Sequence, residues 1–112
     1  MADYSVLEQF FVKEVLPASL TVRFDVPLAD LIPQRTRLRL DFVVSYCGRT
    51  IAFEIDGHRS HFEDPKQIKR DEQKDMLCKK HGVELHRLLA SLVMQRGACR
   101  RVVKRLIYGG TR

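Results

Sequence analysis

The chain has 112 residues, 45% of them hydrophobic and 30% charged, with a formal net charge of +6. That size and balance give a single folded domain, expected over 1–108 with a tail at 109–112, and exclude a disordered tract. No apolar run approaches the ~18 residues of a membrane helix, which sets membrane-embedded functions aside. The start, Met1-Ala2-Asp3-Tyr4-Ser5, lacks the basic and apolar pattern of a signal peptide. Cys47, Cys78 and Cys99 are widely spaced, with no Cys-x-x-Cys, and read as reduced thiols. A cytoplasmic location is expected.

In chain order, the first helix is expected from Ser5 to Leu16, with apolar residues at 7, 10, 11 and 15. Ser5 caps it and Pro17 stops it. Leu20 to Val26 reads as a strand, and Asp30 to Arg35 as a loop holding Pro33. Arg37 to Tyr46 and Arg49 to Asp56 read as two strands of a hairpin centred on Cys47-Gly48. A helix then starts with Asp64 as cap and Pro65 in the first turn, and Gln67 completes a capping box. It runs to about His81, where Gly82 suits the left-handed position past its end. Val83 to Leu88 is a short strand. The last helix spans Ser91 to Ile107, with Leu92, Cys99, Val102, Val103, Leu106 and Ile107 on one face. The expected fold is α/β, in the order αβββαβα.

The charge is unevenly placed. Residues 1–95 hold fourteen Lys or Arg and fourteen Asp or Glu. The whole excess lies in residues 96–112, on Arg96, Arg100, Arg101, Lys104, Arg105 and Arg112. A localised basic patch points to a polyanion such as nucleic acid, or else to a solvated helix face.

The hairpin carries the most specific chemistry. With Cys47-Gly48 at its centre, Val43 opposes Ala52, Phe42 opposes Phe53, and Asp41 opposes Glu54. Leu40, Phe42, Val44, Ile51, Phe53 and Ile55 form one face, and Arg39, Asp41, Glu54 and Asp56 fall on the other. Like charges directly opposed across a strand pair, with Cβ atoms ~4.5–5.5 Å apart, destabilise it. A hard cation, Mg²⁺ or Mn²⁺, reverses that penalty and needs only one or two protein carboxylates beside its waters and a substrate phosphate. The alternative is a solvated acidic face partnered by Arg39 and nearby lysines.

Four motifs in this order extend the pattern: Arg39-Leu40-Asp41-Phe42; Phe53-Glu54-Ile55-Asp56-Gly57-His58-Arg59-Ser60-His61; Arg70-Asp71-x-x-Lys74-Asp75; and Gly82-Val83-Glu84-Leu85-His86-Arg87. Together they resemble the PD-(D/E)XK nuclease superfamily, closest to its small branch related to very-short-patch repair endonucleases. The resemblance covers nearly the whole chain. It implies a restriction-endonuclease-like fold, a three-strand meander plus a fourth strand flanked by helices, and metal-dependent cleavage of DNA. Asp41 and Glu54 would be metal ligands, with the Ile55 backbone carbonyl as a third. Glu8 matches the acid contributed by the first helix, and His61 the histidine placed beside the attacking water or leaving group. One position departs from the pattern. The usual lysine two residues after Glu54 is Asp56, which would bind metal or hold His61, while Lys74 on the next helix would supply the missing cation.

Other residues have two readings. Asp71 and Asp75 either pair along their helix or support the metal site from behind. His58 reads as a loop or substrate contact, and His81 and His86 as structural. Arg59 and Arg87 are candidate phosphate contacts, and Arg96, Arg100, Arg101, Lys104 and Arg105 form a further set. The expectation is a Mg²⁺- or Mn²⁺-dependent DNA endonuclease, in repair, restriction or mobile-element processing. The alternatives are a non-catalytic nucleic-acid-binding or partner-binding domain of the same fold, and a structural piece of a larger machine. A homodimer or protein partner is compatible with either.

Overall fold

A computed structural model of the chain describes residues 6–56 and 64–109. Helix α1, Val6–Phe10, winds on as a π-helical turn over Phe11–Val15. Strand β1 is Val22–Pro27, followed by a 3₁₀ turn at Leu28–Asp30. Strands β2, Arg39–Tyr46, and β3, Arg49–Asp56, form the hairpin. Helix α2, Pro65–His81, leads to β4, Val83–Leu89. Two short helices close the chain, α3 at Ala90–Val93 and α4 at Arg96–Lys104, the latter ending in a π-helical turn over Arg105–Gly109. The order is the expected αβββαβα. The sheet runs β1-β2-β3-β4, antiparallel across the first three strands and parallel between β3 and β4.

Local chemistry explains each boundary near the site. Cys47 and Gly48 both take left-handed backbone, φ 50 and φ 77, between the paired Tyr46 and Arg49. Two successive positive φ values are what a two-residue turn matched to strand twist requires, and they fix the register. Phe42 therefore faces Phe53 and Val43 faces Ala52, as expected. Asp64 caps α2 by accepting a hydrogen bond from the Lys66 backbone N–H at 3.0 Å. Gly82 ends the helix at φ 77 and ψ 20, where a side chain would be strained. At the first helix, Leu16 turns to extended backbone with ψ 139, as the residue before Pro17 must. Ser5 lies outside the described residues.

Both faces of the sheet are covered. One packs Phe42, Val44, Ile51 and Phe53 against Phe11, Val15, Val93, Cys99, Val103 and Ile107. The other packs Val43 and Ala52 against Leu77 and Cys78 of α2, with Leu28 and Ile32 filling the end. So the charged face foreseen from alternation is charged only at its end. Leu40 is buried in this second cluster and not with Phe42. Pairing of β1 with β2 skips Asp25 and Asp41, where Asp25 has φ 50, and resumes in the same register at Val26–Leu40.

The expected single last helix is broken at Met94–Gln95. Its buried stripe is Cys99, Val103 and Ile107, at i, i+4 and i+8, while Val102 is exposed. Gly109, expected in the tail, belongs to the last turn. Arg49, next to the hairpin turn, holds that turn in place. It donates to the Leu106 and Ile107 carbonyls at 2.8 and 2.6 Å, and to both oxygens of Glu84 at 2.7 and 2.8 Å. These bonds satisfy helix-end carbonyls that have no partner within the helix.

Candidate functional site

Asp41 and Glu54 stand one step beyond Phe42–Phe53, the last paired residues at that end of the β2–β3 ladder. There the two strands, helix α2 and strand β4 enclose a cavity of about 120 Å³. Asp41, Glu54, Asp56, Lys74 and Arg87 line it, with Gln67 and Asp71 at its helix side. Ile55 also borders it, and its backbone hydrogen-bonds the Asp41 carboxylate.

Glu54 is the only buried charged side chain among the described residues. Burying a charge is costly unless it is paired. Lys74 meets this need, its Nζ lying 2.6 Å from Glu54 Oε2. Arg87 approaches the other oxygen, Nε to Oε1 at 3.5 Å. Lys74 reaches Glu54 from the middle of α2, a placement that follows from Leu77 and Cys78 packing on Val43 and Ala52. Arg87 arrives because parallel pairing sets it beside Glu54.

Asp41 has a different environment. Its carboxyl is pushed up from 3.8 to about 6, first by burial, then by the charges of Glu54 and Glu8. Lys74 and the Ile55 backbone bond act in the other direction but do not cancel the rise. Helix α1 thus brings Glu8 close enough to be felt at the strand ends.

Asp71 and Asp75 gather around Arg87. Arg87 Nη1 bonds Asp75 Oδ1, while Nη2 lies 3.7 Å from Asp71 Oδ1 and 3.4 Å from the Asp71 carbonyl. Gln67 donates to Asp71 Oδ1 at 3.0 Å, so its side chain turns along the helix and not back to the cap as the capping box required. Cys78, just behind Glu54, is pushed up to about 11 by burial and by that charge, and stays a protonated thiol. His58, Arg59 and His61 lie outside the described residues.

The basic helix divides into two groups. Arg96 pairs with Glu14 at 2.9 Å and Arg100 donates to the Glu14 carbonyl at 2.6 Å, so these two tie α4 to α1. Arg101, Lys104 and Arg105 are exposed. Glu8 lies on α1 and Glu14 on the π-helical turn that continues it, so the stretch that meets α4 also carries the charge felt at Asp41.

Does a divalent ion fit? Among the described residues, no three His, Cys, Asp or Glu side chains gather into a full cage. What is present is the carboxylates of Asp41 and Glu54 on neighbouring strands at one cavity that Asp56 and Asp71 also line, with Asp41 lifted by burial and then by its acidic neighbours. That donor set suits a hard cation that keeps most of its waters and not a zinc-type cage. Mg²⁺ or Mn²⁺ would suit this chemistry, and Asp41 and Glu54 are the residues that would hold it.

Comparison of the chain with family models, with curated proteins and with solved structures found no match. Among the described residues no helix is long and apolar enough to cross a membrane. The structure does bring together Asp41, Glu54, Asp56 and Lys74, which the sequence singled out, and adds Glu8 through its charge. What sequence reasoning missed was Arg87, read there only as a surface phosphate contact. Its signal is the Glu54–Arg87 register of two parallel strands, and no local motif carries that.

Proposed function

We propose that this protein is a Mg²⁺- or Mn²⁺-dependent endonuclease that hydrolyses DNA phosphodiester bonds, of the PD-(D/E)XK type. The observation carrying this reading is Lys74, whose ammonium enters the cavity of Asp41 and Glu54 and fills the chemical role that Asp56 leaves open. Asp41 and Glu54 would hold the ion, with the Ile55 carbonyl as a further oxygen. When bound, such an ion would polarise a phosphate oxygen and make water a better nucleophile.

The chain's own groups do the remaining work. Lys74, whose ammonium stands 2.6 Å from Glu54 Oε2, would orient the attacking water and offset charge on the phosphate. Asp56 and Glu8 accept hydrogen bonds from waters in the cavity, and His61 handles the leaving-group proton. Arg59 and the exposed Arg101, Lys104 and Arg105 hold the DNA backbone without reading bases. The pathway would be repair, restriction or mobile-element processing.

One observation favours a second reading. The Lys74–Glu54 pair satisfies the buried carboxylate without any ion, as a non-catalytic nucleic-acid-binding domain would need. A plasmid-nicking assay with Mg²⁺, Mn²⁺ and chelator separates the two. The nuclease reading expects metal-dependent nicking that Asp41→Ala and Glu54→Gln abolish and Lys74→Met reduces about 10²–10⁴-fold. DNA binding with no nicking by the wild type supports the second reading.

A further inference from the structure

Resting on the nuclease reading, we propose that Arg87 is a positioning residue, holding Glu54 for the metal and locking the Lys74 helix to the sheet without touching DNA. Among the described residues, each nitrogen of its guanidinium already faces a carboxylate. Nε is 3.5 Å from Glu54 Oε1, Nη1 bonds Asp75, and Nη2 is 3.7 Å from Asp71 Oδ1. Nη2 also reaches the Asp71 carbonyl at 3.4 Å. The side chain is about four-fifths buried, with 21% of its surface exposed. A phosphate contact would have to compete with three acids that already surround it.

The connectivity gives the role. Glu54 stands on β3, Arg87 on β4, and Asp71 and Asp75 on α2 one turn apart, flanking Lys74 in sequence. One planar fork therefore joins the metal-binding strand, its neighbour and the helix that bears the catalytic ammonium. Lys74 is ion-paired to Glu54 through a flexible stem, so it can move to substrate. Arg87, held at three corners, cannot do so without loosening the site. Lys74 meets Oε2 at 2.6 Å and Arg87 stands by Oε1 at 3.5 Å, so Arg87, anchored to α2 through Asp71 and Asp75, would keep the Glu54 carboxylate oriented if Lys74 were drawn to substrate.

Mn²⁺ affinity of the metal-free full chain, kcat and KM on duplex DNA, and the salt dependence of DNA binding test this in wild type, Arg87→Lys and Arg87→Gln. The expected result is Mn²⁺ binding about 10–100-fold weaker and a comparable fall in kcat. KM and the salt slope stay at wild-type values, and lysine fails to rescue because it cannot bridge three carboxylates. If Arg87 contacts phosphate, Mn²⁺ affinity holds, KM rises and the salt slope drops by about one, which overturns the proposal. A lower melting temperature with unchanged Mn²⁺ affinity and kcat overturns it also, as does full rescue by lysine. Wild type that binds no Mn²⁺ sinks the nuclease reading itself, and this inference with it. Should the Arg87 variants fail to fold, Asp75→Asn removes one anchor at a half-exposed position, and a weaker loss of Mn²⁺ affinity with KM intact is the expected result. Unchanged Mn²⁺ affinity in Asp75→Asn rejects the proposal.

Discussion

A carboxyl raised to about 6 inside a fold changes the sign of its contribution to stability in mild acid. Between about 4 and about 6 folded Asp41 keeps a proton that the unfolded chain has released. Its stabilising contribution is therefore present at low pH and lost as pH rises through about 6. Thermal melts in chelator should show this as a fall in Tm across that window that is smaller in Asp41→Asn, and parallel curves would contradict it. Divalent ion binding should release the same proton, so affinity rises with pH over the same range. His86 titrates with the opposite sign. Burial lowers its pKa first, so its ring, 5.7 Å from that of Phe53, favours the neutral form, and stability falls as pH drops below its ordinary value. At this scale the sequence was informative about identity. Asp41 and Glu54 were legible as candidates because acids at hairpin ends are a local pattern, and Lys74 because the resemblance left a cation missing at Asp56. Their charge states were not legible, since burial and distant neighbours set them.

Elements near the site were read well where backbone chemistry is local. The Cys47-Gly48 turn, the Asp64 cap and the Gly82 stop all rest on single residues and their immediate neighbours. Gly82 gives a clean test. A Cβ there meets nothing within 4 Å, so Gly82→Ala should cost only the left-handed backbone strain, about 1–2 kcal/mol. Urea denaturation measures it, and an unchanged midpoint would show that the turn relaxes freely. Readings that depended on long periodicity fared less well. The last helix breaks at Met94–Gln95, and its buried stripe narrows to Cys99, Val103 and Ile107, because α1 and the sheet cover only one side. Strict alternation in β2 fails at Leu40, next to the point where Asp25 and Asp41 drop out of the β1–β2 ladder, a pairing between strands that β2's own sequence does not show.

Over the whole molecule, net charge and its placement set how the protein would meet DNA. Arg96 and Arg100 are engaged with Glu14, so under the nuclease reading the exposed Arg101, Lys104 and Arg105 would be the ones to contact phosphate. Neutralising those three should lower the slope of log affinity against log salt by roughly 0.9 for each phosphate that goes unneutralised. Neutralising Arg96 or Arg100 should instead loosen α1 from α4 and lower Tm with little change in slope. Equal slopes in both sets of variants would remove the basic helix from the interface. Sequence alone was enough for the element order, the hairpin register and the two acids at its end, because turn residues and alternation act over a few neighbours. The surroundings of those acids belong to the folded packing. Lys74 is twenty residues from Glu54 and Arg87 thirty-three, and their meeting depends on how α2 packs and how β4 pairs, which no local spacing encodes.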